Sequence, residues 1–289
     1  MSGKGGGGVR FFLLMFLLAL PVTVFGEYRT IDELAKAYSD EACKSCHARV
    51  HEEWSSSYHA RSVVNSLGIL REFIEVGLKK DWKKPVNREE LMRCMGCHAP
   101  QLKDASESLI GEVARLAVAA AGEKEGGEAR KSLERLSVNC VVCHNTMAGV
   151  ERNLKGAPVP GVYYGPAGKA TPAHGTRKSA ALTSSLFCGQ CHGIYTPPDR
   201  EIVFCTSLYE SYQDAYRANG GLKSCQECHM RAKGRGHRTP GSHQAEIVRE
   251  GIGLEVDAAG VRLTPGQWTP AVLVSATLSN RAGHRTPDG

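Results

Sequence analysis

Cys43-Lys44-Ser45-Cys46-His47 decides how this chain is read, because the same pattern returns four more times. The copies are Cys94-Met95-Gly96-Cys97-His98, Cys140-Val141-Val142-Cys143-His144, Cys188-Gly189-Gln190-Cys191-His192 and Cys225-Gln226-Glu227-Cys228-His229. Ten of the eleven cysteines lie in these pentapeptides, so the cysteines are not free to form a scattered disulfide framework. Successive copies start 51, 46, 48 and 37 residues apart, a loose repeat of one local device with no other self-similarity around it. Two cysteines three residues apart stand one helical turn from each other, and the histidine follows at once.

That spacing is what covalent haem attachment requires. The two thiols form thioethers to the vinyl groups on one porphyrin edge, and the adjacent histidine supplies an axial nitrogen to iron. A lone C-x-x-C could be half of a zinc knuckle or a redox pair. Five copies, each followed by histidine, point instead to five covalently attached c-type haems. Cys43, Cys46, Cys94, Cys97, Cys140, Cys143, Cys188, Cys191, Cys225 and Cys228 are then the attachment residues, and His47, His98, His144, His192 and His229 the proximal iron ligands. Composition agrees. Over 289 residues, 42% apolar and 23% charged residues fit a folded soluble chain. Only 7% are aromatic, which leaves room for flat apolar cofactors in the interior. The formal charge of +6 comes without a Lys/Arg run or an aromatic-interleaved patch, so nucleic acid is not an expected partner. Ionised propionates would bring the loaded protein closer to neutral.

The N-terminus sets the expected compartment. Lys4 and Arg10 precede an apolar run from Phe11 to Leu20, and Pro21 to Gly26 end in a small residue before Glu27. This reads as a secretory signal over 1–26, too short to span a bilayer, with cleavage after Gly26 and no stable membrane span afterwards. The domain reading is 27–248 for a pentahaem cytochrome c unit and 249–289 for a β-strand segment that looks incomplete.

Between the motifs the pattern is mainly α with long loops. Ile31–Tyr38 is amphipathic, and Ala48–His59 reads as helix running on from the first motif. Asn87 is a candidate N-cap for a helix leading into Cys94. Ser106–Ala121 places Leu109, Val113, Leu116 and Ala120 on one face; Gly122–Gly127 breaks the pattern and Glu128–Leu136 resumes it. Asn153–Thr176 is rich in Gly and Pro and reads as loop, and Arg200–Ala218 as helix. Ile252–Val256, Val261–Thr264 and Ala271–Ser279 read as strands, with a turn at Asp257–Gly260.

Several segments resemble the exported multihaem cytochromes of the cytochrome c-554-like superfamily. Cys43–His59, with Trp54, Ser57 and His59, is similar to its C-x-x-C-H…W-x-x-S-x-H form. Cys94–Pro100 and Ser137–His144 resemble its second and third sites, and Tyr164-Gly165-Pro166…His174 its GP…H lead-in. Cys205–Met230 with His237-Arg238-Thr239-Pro240-Gly241, and Ala282–Gly289, resemble later stretches. The insertion at about 104–136 resembles that group least. Six histidines remain after the proximal five, just enough to give every iron a second imidazole. The resemblance puts His59, His174, His237 and His284 forward as distal ligands. His243 is a further candidate, although it is six residues from His237, and His51 reads as solvated or bonded to a propionate. Cys205 reads as a buried structural thiol.

Two classes of function follow. Irons with two histidine ligands can only change oxidation state, which makes an electron carrier, with other cytochromes or a quinol-linked reductase as redox partners and homo-oligomerisation possible. The setting implied is anaerobic or extracellular respiration, in the periplasm or on the outer surface of a bacterium or archaeon. The alternative is an oxidoreductase with one haem open to a small nitrogen or sulfur compound such as nitrite or hydroxylamine. No C-x-x-C-K variant, the form found at the active haem of pentahaem nitrite reductases, occurs here, and no catalytic residue is assigned.

Overall fold

The computed structural model describes residues 27–78, 84–148, 158–193, 207–261, 266 and 271–286; the stretch 1–26 expected as a signal and Cys205 lie outside them. Helix α1 (Ile31–Ala37) starts at a capping box. The Thr30 hydroxyl accepts from the Glu33 amide at 3.1 Å, and the Glu33 carboxylate accepts from the Thr30 amide at 3.2 Å. The short α2 (Glu41–Lys44) precedes the first motif histidine and α3 (Ala48–Ser55) follows it. The helix expected to reach His59 stops at Ser55, and His59–Arg61 form a separate tight turn. The serines explain the stop: Ser55 and Ser56 hydroxyls donate to the Glu52 and Glu53 carbonyls, each at 2.8 Å, in competition with the backbone ladder.

Helix α4 (Leu67–Glu72) runs on into a wider, π-type turn at Phe73–Gly77. Asn87 begins α5 (Arg88–His98) as the sequence implies, with Glu90 completing a second capping box. Ser106 caps α6 (Glu107–Ala121), and α7 (Glu128–Glu134) follows the glycine break. Around α6 lies an aliphatic core of Leu34, Leu70, Leu91, Leu102, Leu133 and Leu136. The buried stripe of α6 is broader than expected: Ile110, Ala114 and Ala117 join Leu109, Val113 and Ala120, while Leu116 is only partly buried. Burying these side chains gives this half an ordinary hydrophobic stabilisation, on the order of 1.5–3 kcal/mol per large residue. The core is confined to one part of the chain. After Ala148, Tyr212 is the sole buried hydrophobic residue among the described residues. The inference of a cofactor-filled interior from scarce aromatics therefore bears on the second half of the chain far more than on the first.

Asn153–Thr176 is not wholly loop. Val162–Gly165 (β1) pairs in parallel with Gly175–Lys178 (β2), because Val162, Tyr163 and Tyr164 favour extended backbone despite the glycines around them. Helix α8 (Ser185–His192) carries the fourth motif. Of the helix expected over Arg200–Ala218, the described part begins as α9 (Leu208–Ser211) and continues as a wider turn, Tyr212–Arg217.

Helix α10 (Ala245–Gly251) leads into β3 (Ile252–Val261), which pairs antiparallel with β4 (Ala271–Asn280). The turn expected at Asp257–Gly260 does not form; β3 passes straight through, with Ala258 opposite Val274 and Ala259 opposite Leu273. Small residues there sit flat against larger partners, and the reversal falls between Val261 and Ala271. Paired residues share a face. One face therefore carries Leu254, Val256, Val274 and Leu278, at 63, 58, 61 and 72% exposure, and the other Glu255, Asp257, Ser275 and Thr277.

Candidate axial-ligand sites

Each attachment motif is wound at or near a helix, which sets its thiols a turn apart. The first lies between α2 and α3, the second ends α5, and the fourth ends α8. The third and fifth run into π-type turns, Val142–Met147 and Glu227–Arg231. Short polar side chains fix them. The Asn139 side chain accepts from the Val142 amide at 3.1 Å and donates to the Tyr38 carbonyl at 2.6 Å, tying the third motif to the end of α1. The Ser185 hydroxyl accepts from the Cys225 amide at 3.1 Å, and Gln226 donates to the Ser184 carbonyl at 2.7 Å, so the fifth motif docks on the fourth. A Cβ at Gly189 would stand 2.7 Å from the Tyr209 ring, so only glycine lets that ring pack on the fourth attachment loop.

No described cysteine is in a disulfide. Thiols from different motifs meet instead: Cys43 with Cys140, Cys97 with Cys191, and Cys188 with Cys225. Burial pushes the Cys143 thiol up to about 11, and Cys143 lies close enough to Cys188 and Cys191 to help raise both.

Six histidines stand in pairs, with ring planes inclined by 70° for His59 and His192, 36° for His237 and His144, and 16° for His284 and His229. His59 stands 6.2 Å from His192, His237 stands 6.2 Å from His144, and His284 stands 6.4 Å from His229, centroid to centroid. An imidazole nitrogen ligates a transition metal at about 2.0–2.1 Å, which puts each ring centroid roughly 3.2 Å from the metal and two trans rings roughly 6.4 Å apart. The three centroid separations match that spacing, so each pair would hold one metal ion between its rings. Each pair joins a motif histidine to one of the distal candidates.

The ring nitrogens are prepared for this. His144 Nδ1 lies 2.8 Å from the Tyr164 carbonyl, His229 Nδ1 2.8 Å from the Pro240 carbonyl, and His98 Nδ1 2.9 Å from the Ser62 carbonyl. A carbonyl only accepts, so Nδ1 must carry the proton and Nε2 keeps its lone pair. His59 Nδ1 lies 3.1 Å from the Thr239 hydroxyl, and His284 Nδ1 2.8 Å from the Arg285 carbonyl. Burial lowers the pKa of His192, His229 and His237, and that of His59 to about 4, with His192 adding to the effect. These rings are neutral at pH 7, as metal ligation requires. Among the described residues no three His, Cys, Asp or Glu side chains converge on a point, as a zinc knuckle would require. Two axial nitrogens per site suit a metal whose other ligands come from a macrocycle.

The remaining candidates lie elsewhere. His243 stacks on Tyr58 at 4.5 Å, His174 meets the edge of Tyr163 at 5.0 Å, and His51 meets Trp54 at 5.3 Å. Among the described residues neither His47 nor His98 has an imidazole counterpart at the spacing of the three pairs. Trp54 donates to the Val138 carbonyl at 2.9 Å, bracing the segment before the third motif. Of the groups that orient the rings, Tyr164, Thr239 and Pro240 entered the sequence reading only as members of resembling stretches, and Ser62 did not enter it. Their role is carried mostly by backbone carbonyls, which leave no mark in residue identity.

The family model described as "Cytochrome c554 and c-prime" matches residues 42–117, which include the first two motifs. No curated protein gives a significant match, and no solved structure does. The family match supports a c-type cytochrome with covalently bound haem that works in electron transfer with redox partners. No helix among the described residues is long and apolar enough to cross a membrane.

Proposed function

We propose that the chain is an exported pentahaem c-type cytochrome that carries electrons through mostly bis-histidine haems. The single observation that carries this reading is the set of three imidazole pairs, each a motif histidine facing another across a gap sized for one iron. Bound haem supplies a one-electron Fe(III)/Fe(II) couple. The chain's residues orient both axial nitrogens, keep them neutral, and close both faces of the site to other ligands. Attachment at Cys43, Cys46, Cys94, Cys97, Cys140, Cys143, Cys188, Cys191, Cys225 and Cys228 follows from the motif spacing.

The thiol contacts support an order for the path. Because each links two attachment loops, haems attached there would be neighbours: first site with third, second with fourth, fourth with fifth. The charge influence of Cys143 on Cys188 and Cys191 places the third site near the fourth. Electrons would then run first–third–fourth–fifth, with the second site branching from the fourth. The setting proposed is respiratory electron transfer outside the cytoplasm, with another cytochrome or a quinol-linked reductase as partner.

Electron paramagnetic resonance of the oxidised, haem-loaded protein tests the reading. At least three low-spin ferric signals are expected, and their absence would overturn it. A second reading rests on His47 and His98, which lack a facing imidazole among the described residues: one of these haems reduces or oxidises a small nitrogen or sulfur compound. Fast binding of cyanide or nitrite at one haem would favour it, and five inert low-spin haems would remove it.

A further inference from the structure

One short segment touches the candidate ligands of three sites. From Lys233 to Thr239 the backbone takes a positive φ four times, at Lys233 (53°), Gly234 (63°), Gly236 (58°) and Thr239 (40°). Glycine accepts such angles freely, but a β-branched threonine does so only when its surroundings impose it. The surroundings here are specific. His237 faces His144. The strained Thr239 holds its hydroxyl 3.1 Å from Nδ1 of His59, the ring that faces His192. The next carbonyl, that of Pro240, receives Nδ1–H of His229 at 2.8 Å. Arg235, buried, donates to the Cys228 carbonyl and to the Glu250 carboxylate, each at 2.6 Å.

The segment is also pinned from the far end of the chain. Glu53, on α3, accepts from the His237 amide at 3.0 Å while paired with Arg49. A Cβ at Gly236 would collide with the Glu53 carboxylate, so the pin depends on glycine there.

We infer that Arg235–Pro240 is a shared bracket for the axial ligands of three haems, with Thr239 as its positioning residue. The inference rests on the reading of the three imidazole pairs as axial ligands. The bracket supplies His237 to the third site, orients His59 at the fourth through Thr239, and orients His229 at the fifth through Pro240. A hydrogen bond at Nδ1 fixes a ligating ring and makes it a stronger donor, which favours ferric iron. Thr239 should therefore hold the fourth haem at a lower potential than a free imidazole would, and a displacement of the bracket should reach all three haems at once.

The test uses the haem-loaded protein in three variants, followed by paramagnetic resonance and a spectroelectrochemical titration. Thr239→Val keeps the shape and removes the hydroxyl; Thr239→Ser keeps the hydroxyl; Gly236→Ala displaces the Glu53 carboxylate and strains the positive φ, which breaks the pin. The fourth haem is identified by the low-spin signal lost in His59→Ala. Thr239→Val should raise the potential of that haem, and Thr239→Ser should restore it. Gly236→Ala should shift the signals of three haems together and leave two unchanged. If Thr239→Val matches the wild type, or Gly236→Ala moves a single haem, the bracket is refuted. If the wild type itself lacks low-spin signals, the ligand reading fails instead.

Discussion

If His59 ligates iron as proposed, acid should leave it in place down to about pH 4. Burial, helped by the nearby His192, holds its pKa at about 4 against an ordinary value of 6.5. That difference corresponds to roughly 3 kcal/mol opposing protonation. Between pH 6.5 and about 4 the unfolded chain binds a proton at this residue and the folded chain does not. The contribution to stability is thus complete above 6.5 and is lost as the pH falls to about 4. Iron bound at the same nitrogen competes with the proton and pushes the transition lower still, so about 4 is a ceiling. The assay is a titration of the haem-loaded protein from pH 7 to 3, read as conversion of low-spin to high-spin ferric signal. His59→Ala, expected to be high-spin or water-ligated at one haem while keeping all its thioethers, provides the reference spectrum. Conversion of that same haem with a midpoint near 6.5 would refute the reasoning, because it would mean that His59 meets solvent.

Intact mass of the exported protein should exceed the cleaved polypeptide by five haem masses, one per motif; a smaller excess would show an unused motif. Ile110→Ala, in the fully buried stripe of α6, should cost about 2–5 kcal/mol in denaturant unfolding without changing the haem count. Gly189→Ala should overpack the fourth loop against Tyr209 at a cost of about 1–3 kcal/mol, and Tyr209→Ala in the same chain should recover haem loading there. Leu278→Lys, on the exposed apolar face of β4, should change stability by no more than about 0.5 kcal/mol while raising solubility in a sedimentation assay.

What the sequence made legible was local. The attachment motifs, the Asn87 cap and the helices over 88–98 and 107–121 depend on residues within a few positions of each other, and those elements are present. The limits appear where distant partners decide. The end of α3 at Ser55 was hidden because serine is compatible with helix until its hydroxyl turns back on a carbonyl. Asp257–Gly260 has turn composition, yet the register against Leu273 and Val274 keeps it extended. The insertion at 104–136, which resembled the family least, supplies the centre of the aliphatic core. Counting histidines set the size of the ligand pool, but the pairing of His59 with His192 or His284 with His229 is a property of the folded chain alone.

The apolar core that closes at Ala148 has a consequence for biogenesis. A chain that emerges N-terminus first can collapse residues 31–148 on its own leucines and alanines, before any cofactor is attached. Among the described residues the part that follows has almost no apolar interior of its own, so, if its two motifs take haem as proposed, its ordering should follow haem attachment, as folding waits for metal in small metalloproteins. On that reading maturation would be sequential, with haem supply limiting the trailing half of the nascent protein.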